Sequence, residues 1–452
     1  MLPSALRFAL PSASGVSPRW HGDMLRCQVR TLVTGTRGPH MSKQQWRCTA
    51  TKFVLGAAAS AVVIVHWQRG TSRTLVCAGA NYHPVTGAAP GALPVGVTTI
   101  QLDDHSRSDP DGGPRCLQTE IWYPAEDDAV SQKPNKYSDF LSRGAAPGAI
   151  AAAEEADAIG GYRKGLTIAE LDGEWKNIAR RDARLRAGDA WPVVIFSHGN
   201  GAFRASYVYF TEFLASHGYV VVACDHVGSS RYTILNGRAV KGGGPRLEAA
   251  QADRPKDVVF LLDAMKRMHL GGDSRFAGRL DLERSALTGM SFGGWTTARV
   301  AEMKVDDPRI KCALMQCPSL VRGELQGGIA IPVMLMTGVE DTVIGESGNQ
   351  LCRDYFKRAA GPRYLLEIND AGHVTFTSCE QYNQSYGNGI GTSKSLSSPG
   401  STYEPLPIDE AHDIINKYTL AFLDAHVKGN ERQKKFLERN HFESKVQYSF
   451  SH

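Results

Sequence analysis

The chain has 452 residues, 42% of them apolar and 21% charged, which suits one large globular domain with extensions or two ordinary ones. Its net charge of +5 is gathered at one end: between Met1 and Leu102 the only acidic residue is Asp23, against ten lysines and arginines. From Asp103 onward the chain is slightly acidic, which excludes a basic nucleic-acid-binding body. The absence of a repeat of roughly 20–50 residues argues against a solenoid or propeller.

Residues 1–94 read as a basic targeting or anchor segment followed by a linker. Lys52 precedes an apolar run at 53–67, and Arg69 and Arg73 follow it. The run is shorter than the roughly 20 residues that span a bilayer and suits the core of a signal peptide. Met41 is a natural start for such a signal, and the small residues at 76–80 suit cleavage. The leader is also rich in arginine and serine and poor in acid, as mitochondrial presequences are. The expectation is a secreted or membrane-anchored protein, with a mitochondrial one as the alternative, and the N-terminal segment is the part that would meet a membrane surface.

A linker rich in Gly, Pro and Ala at 78–96 leads to a predicted hairpin at 97–102 and 117–123. Residues 124–190 form a long insertion with a charged helix near 168–185. An apolar run at 192–197 suits a buried parallel strand. It is followed by an amphipathic stretch at 204–217, a second buried strand at 219–224, a helix at 253–269 and a strand at 285–290. Short apolar strands at 310–315, 333–337 and 364–368 and helices at 409–428 and 431–440 complete the pattern. Strands alternating with helices imply βαβ units: an α/β fold with a mostly parallel sheet and helices on both faces. The catalytic domain is placed at 95–445.

Nine cysteines show no C-x-x-C spacing, so neither a metal site nor a metal cofactor is expected. Cys224 and Cys312 read as small core residues. An extracellular body would allow Cys352 and Cys379 to pair, and Asn383-Gln384-Ser385 is a glycosylation sequon in a polar loop.

The strand at 285–290 runs into Gly289-Met290-Ser291-Phe292-Gly293-Gly294, the G-x-S-x-G pattern in which a serine projects from a turn too tight for side chains two residues away. A serine hydroxyl needs an imidazole to take its proton and a carboxylate to orient that imidazole. In this chain order the acid comes next. Asp341, in Gly338-Val339-Glu340-Asp341 at the end of a strand, is the first candidate, with Glu340 second and a solvated turn as the bland reading. His373, in Asp370-Ala371-Gly372-His373, follows the last strand of the repeating pattern and precedes the C-terminal helices. His226 reads as a pocket-wall or structural residue, and His217 as a charge partner at a helix end. Two oxyanion donors are expected: the amide of Phe292, and that of Asn200 in Ser197-His198-Gly199-Asn200-Gly201, where His198 orders the loop. No Walker loop or dinucleotide fingerprint appears, so no cofactor is expected.

The block from Trp191 to Arg204, the stretch Leu214-Ala215-Ser216-His217-Gly218-Tyr219 and the elbow Ser291-Phe292-Gly293-Gly294 resemble the plasma-type platelet-activating-factor acetylhydrolases and their dienelactone-hydrolase-like relatives among the α/β-hydrolases. Pro134-Asn135-Lys136-Tyr137 and residues 422–429 fit as well. The resemblance implies a calcium-independent serine esterase releasing short or oxidised acyl chains from phospholipids or related small-molecule or lipid esters. It matches Ser291, Asn200 and Phe292 to the nucleophile and oxyanion positions. Two departures stand out. Met290 replaces the histidine usual in the animal enzymes. The strand after the nucleophile helix ends Met315-Gln316-Cys317-Pro318, with no carboxylate where those enzymes carry the acid, so Asp341 must supply it. A small-ester or polyester hydrolase of the dienelactone-like branch is the alternative, and a non-catalytic binding module is a third reading that the intact Ser-Asp-His set opposes.

Overall fold

The computed structural model of the protein describes residues 89–452, except 110–111, 161–164, 175–176, 189, 244, 305, 323–324 and 380–391, and gives two strands nearer the N-terminus. The chain divides into two compact units, Met1–Tyr82 and His83–His452. In the first, Val62–Val65 pairs antiparallel with Arg73–Val76. The rest of the 53–67 run, the small residues at 77–80 and the sequon at Asn383 lie outside the described residues. Among the described residues no helix is long and apolar enough to cross a membrane.

The second unit is built on a ten-stranded sheet. Its strands are β1 (Val95–Ser108), β2 (Pro114–Pro124), β3 (Ala179–Arg181), β4 (Trp191–Ser197), β5 (Val220–Cys224), β6 (Leu280–Met290), β7 (Ile310–Gln316), β8 (Val333–Gly338), β9 (Arg363–Ile368) and β10 (Val446–Ser451). They lie in the order β10-β9-β8-β7-β6-β4-β5-β2-β1-β3. From β9 through β8, β7, β6 and β4 to β5 every pairing is parallel. The edges turn antiparallel at β10 against β9 and at β2 against β5.

Successive strand residues face opposite sides of a sheet, so each central strand feeds two cores. Val194 and Phe196 of β4 join the core that holds helix α4 (Val208–Ser216) and helix α8 (Ile408–His426). Val193 and Ile195 join the other, under α5 (Pro245–Arg267) and α6 (Phe292–Met303). Both faces are covered, which is why these strands read as continuous apolar runs. The expected α/β architecture is the one observed.

Four local differences have physical reasons. The stretch expected to be a charged helix at 168–185 is a short helix, α3 (Ile168–Glu174), and then β3, which pairs with β1 and sends Arg181 onto Glu120. The helix at 204–217 is not amphipathic: all nine residues of α4 are buried, because α8 closes its outer side. β10 lies beyond residue 445 and pairs along its whole length with β9, from Ile368–Val446 to Arg363–Ser451. Cys352 and Cys379 belong to opposite cores, so the sheet stands between them and they do not pair with each other.

The insertion at 124–190 contributes α1 (Tyr137–Ser142), α2 (Ile150–Gly160) and α3. Its core, Tyr137, Phe140, Leu141 and Leu171, packs in the same cluster as Phe203, and the Arg204 guanidinium donates to the Phe140 carbonyl at 2.6 Å. The insertion is thereby joined to the loop after β4.

Candidate active site

Ser291 follows β6 and opens α6 with φ 56° and ψ −118°, a conformation that a residue with a Cβ adopts only under strain, at a cost of about 1–3 kcal/mol. Surrounding bonds hold it there: its amide donates to Gln316 O at 2.8 Å, and its carbonyl accepts from the amides of Trp295 and Ser319, both at 3.0 Å. The flanking glycines are sterically required. A Cβ on Gly289 would fall 2.4 Å from Gly293 O, and one on Gly293 only 1.8 Å from Ser197 O.

β8 ends at Gly338, and the turn beyond it carries Asp341, which is fully buried. Asp341 Oδ1 accepts from the amides of Val343 and Ile344 at 2.9 and 3.1 Å, and Oδ2 accepts from His373 Nδ1 at 2.7 Å. Burial by itself would raise this carboxyl. The His373 bond and charge, the Ile344 amide and the Cys317 thiol together hold it below its ordinary range. His373 lies beyond β9, and the two loops touch so closely that a Cβ on Gly338 would fall 2.3 Å from Ala371 O. Ser291, Asp341 and His373 thus all follow the carboxyl ends of parallel strands, β6, β8 and β9. Glu340 faces elsewhere: its carboxylate accepts from Ser395 Oγ at 3.1 Å, from Ser397 N at 3.3 Å and from the Leu396 amide.

Cys317, at φ 40°, directly follows β7, the position where the sequence resemblance calls for an acid. Its sulfur, an Asp341 oxygen and a His373 nitrogen lie within 4.8 Å of one another, a spacing that could also suit a metal ion. The Asp341–His373 hydrogen bond already accounts for it, and burial together with the Asp341 charge holds Cys317 as a neutral thiol, a hydrogen-bond donor rather than a thiolate ligand.

In the loop after β4, Gly199 N donates to Tyr207 Oη at 2.9 Å, Gly201 N to Ser229 O at 2.8 Å and Ala202 N to Gly199 O at 3.4 Å. Asn200 N has no such acceptor among the described residues, and the residue itself is exposed. Phe292 is the first residue of α6, where amides lack an intrahelical partner. A Cβ on Gly199 would lie 3.4 Å from the Ser291 Cβ, so the loop runs beside the candidate nucleophile.

Behind this loop lies a second serine–histidine–aspartate set that sequence reasoning did not identify. Ser197 Oγ donates to His226 Nε2 at 2.8 Å, and His226 Nδ1 donates to Asp257 Oδ2 at 3.0 Å. Ser197 is 1% exposed, and His226 and Asp257 are fully buried, so this set meets no substrate. Asp257 is held ionised against its burial by a bidentate Arg115 at 2.7 and 2.8 Å. Burial and the neighbouring Arg254 lower His226 to about 4, leaving it neutral. Arg254 is itself fully buried; Nη2 donates to His198 O, the guanidinium sits 4.3 Å from the Phe292 ring centroid, and Nε and Nη1 have no partner among the described residues. The signal for these residues is on α5: Arg254 and Asp257 continue the stripe of Val258, Leu261, Leu262 and Met265, so two charges occupy the buried face of an amphipathic helix.

The family model for platelet-activating factor acetylhydrolase, isoform II, matches residues 87–237. A platelet-activating factor acetylhydrolase from Cavia porcellus is 26% identical over 293 residues, 58% of this chain and 64% of that protein. The one from Bos taurus is 28% identical over 163 residues, 29% of this chain and 36% of that protein. The chain therefore spans less than two thirds of the length of these curated relatives. Among solved structures, a ferulic acid esterase from Streptomyces cinnamoneus superposes with a TM-score of 0.59 at 25% identity, over 81% of this chain and 99% of that one. The resemblance to the platelet-activating-factor acetylhydrolases is borne out, and the fold is an α/β-hydrolase fold like that of the ferulic acid esterase.

Proposed function

We propose that this chain, an α/β-hydrolase similar to the platelet-activating-factor acetylhydrolases, is a serine carboxylic ester hydrolase acting on short-chain or oxidised acyl esters of phospholipids. One observation carries the reading: a strained serine on a strand-to-helix turn shares the carboxyl edge of the sheet with a buried Asp341–His373 pair bonded at 2.7 Å. In the reaction His373 takes the Ser291 proton through Nε2 while Asp341 holds Nδ1–H. Ser291 Oγ bonds to the acyl carbon, and the carbonyl electron pair moves onto oxygen, which the amides of Phe292 and Asn200 receive. The oxyanion collapses with loss of the alcohol, protonated by His373, and water then releases the acid by the reverse sequence.

The 99% coverage of the ferulic acid esterase favours a second reading, hydrolysis of small or aromatic esters, as in the dienelactone-hydrolase-like branch. The test is a fluorophosphonate serine probe together with turnover of glycerophosphocholine esters of graded acyl length and of methyl ferulate. Labelling and turnover are expected in the wild type and lost in Ser291→Ala. Persistent labelling of Ser291→Ala removes the nucleophile assignment, and a preference for methyl ferulate selects the second reading. Delivery to the secretory pathway, or alternatively to mitochondria, and contact with a membrane surface are proposed from the basic, apolar N-terminal segment alone.

A further inference from the structure

We propose that His198 is the positioning residue that aims the Asn200 amide at the oxyanion, by gripping the opposite end of the same peptide unit; this rests on the esterase reading. In a planar trans peptide the carbonyl and the following N–H point in opposite directions. The carbonyl of Gly199 is held by His198 Nδ1 at 2.7 Å. A carbonyl can only accept, so Nδ1 carries the proton. The bond draws Gly199 O towards the buried ring and turns the Asn200 N–H the other way, on a loop whose Gly199 lies beside Ser291.

Two neighbours fix the ring. The backbone N–H of His226 donates to His198 Nε2 at 3.0 Å, which requires Nε2 to be bare. Both contacts therefore demand the same neutral tautomer, and a proton on Nε2 would set two donors against each other. Arg254 anchors the backbone of the same residue through His198 O; its Nη2 also lies 3.3 Å from Nδ1, where with Nδ1 protonated both atoms are donors and no hydrogen bond forms, so the Gly199 and His226 contacts set the tautomer. Burial first, and then the Arg254 charge, hold His198 well below the ordinary histidine range, so the ring remains neutral. The buried Ser197–His226–Asp257 set then acts as the mount for His226, whose backbone completes the grip. The machinery of a second serine relay here holds a loop instead of activating a nucleophile.

Ester turnover by His198→Ala, His198→Asn and wild type tests this, with Ser291→Ala as the blank. Asparagine offers an N–H at the same bond count from Cα as Nδ1. His198→Ala is expected to lower kcat roughly 10- to 100-fold with KM within about 3-fold, and His198→Asn to recover most of that loss. Affinity for a trifluoromethyl ketone, whose Ser291 adduct is an oxyanion, should fall in step with kcat, while affinity for the alcohol product holds. An unchanged kcat in His198→Ala, or equal loss in both variants, overturns the proposal. A neutron structure of the wild type needs no variant to fold: deuterium on Nδ1 with Nε2 bare supports the proposal, and deuterium on Nε2 overturns it. Failure of the esterase reading is separate, because it appears as a wild type that turns over no ester.

Discussion

At the residue scale, the arrangement around Asp341 makes the acid the sharpest target after Ser291. Its two oxygens have different duties. Oδ1 is committed to the Val343 and Ile344 amides, and only Oδ2 meets His373. Asp341→Asn keeps the shape and places an amide against Nδ1, which favours the wrong imidazole tautomer. A kcat loss of roughly 10³- to 10⁴-fold with little change in KM is expected, measured by steady-state ester turnover. Glu340→Gln should stay within about 3-fold of wild type in the same assay, since that carboxylate faces residues 395–397. The elbow supplies a stability prediction. Gly293→Ala would drive a methyl to 1.8 Å from a backbone oxygen that cannot swing away, so denaturant unfolding should show a loss above about 3 kcal/mol or no folded protein. The turns that carry Ser291, Asp341 and His373 were legible in the sequence because each lies at the end of an apolar strand. Arg254 was not, and His198 and Cys317 were so only in part, one as an orderer of its loop and the other as the place where a carboxylate was missing, because what they touch lies across the fold rather than along the chain.

At the scale of elements, α4 carries an unusual load. Glu212 lies on this helix with every neighbour on it buried, and accepts the Ile178 amide at 2.7 Å through one oxygen. Burial pushes the carboxyl up to about 8 despite the Ile178 and Ala179 amides and the Arg180 and Arg181 charges nearby. The folded state therefore holds a proton that the unfolded chain releases near pH 4.5. Glu212 accordingly opposes folding increasingly as pH rises from about 4.5 to 8, and contributes no such penalty below that window. Glu212→Gln removes the titration while keeping the shape. Its melting temperature should exceed that of wild type at pH 8 and converge with it at pH 4.5; a constant difference across that range would refute the assignment. The sequence disclosed the central strands readily, since burial on both faces leaves runs such as Val193 to Phe196 apolar throughout. It disclosed the edges poorly. β3 is only three residues long, too short to show a period, and β10 alternates Val446, Tyr448 and Phe450 with Gln447, Ser449 and Ser451, a period-2 signal that is easily passed over beyond a terminal helix.

At the scale of the whole molecule, the charge asymmetry and the division of contacts coincide. The acid-poor N-terminal stretch makes up most of the unit Met1–Tyr82, while every strand of the ten-stranded sheet and every candidate active-site residue belongs to His83–His452. Among the described residues, the second unit forms a core on each face of the sheet. It also completes its own buried ion network: Glu120 on β2 meets Arg204 at 3.0 Å, and Arg204 meets Asp225 beyond β5 at 2.7 Å. Removing one member of such a network leaves an uncompensated buried charge, at a cost of about 3–5 kcal/mol, whereas removing residues 1–82 takes no member away. A chain beginning at His83 is therefore expected to fold, to melt within about 3 °C of the full-length protein and to keep its kcat on soluble esters, as judged by calorimetry and steady-state turnover. The complementary fragment, residues 1–82 ahead of a fluorescent reporter, separates the destinations: secretion or retention on a membrane supports the secretory expectation, and capture by mitochondria supports the alternative. If the shortened enzyme kept full activity on soluble esters but lost it only on esters presented in vesicles, the leader would act by bringing an intact active site to a surface, and a loss on both would place part of the catalytic fold within the first 82 residues.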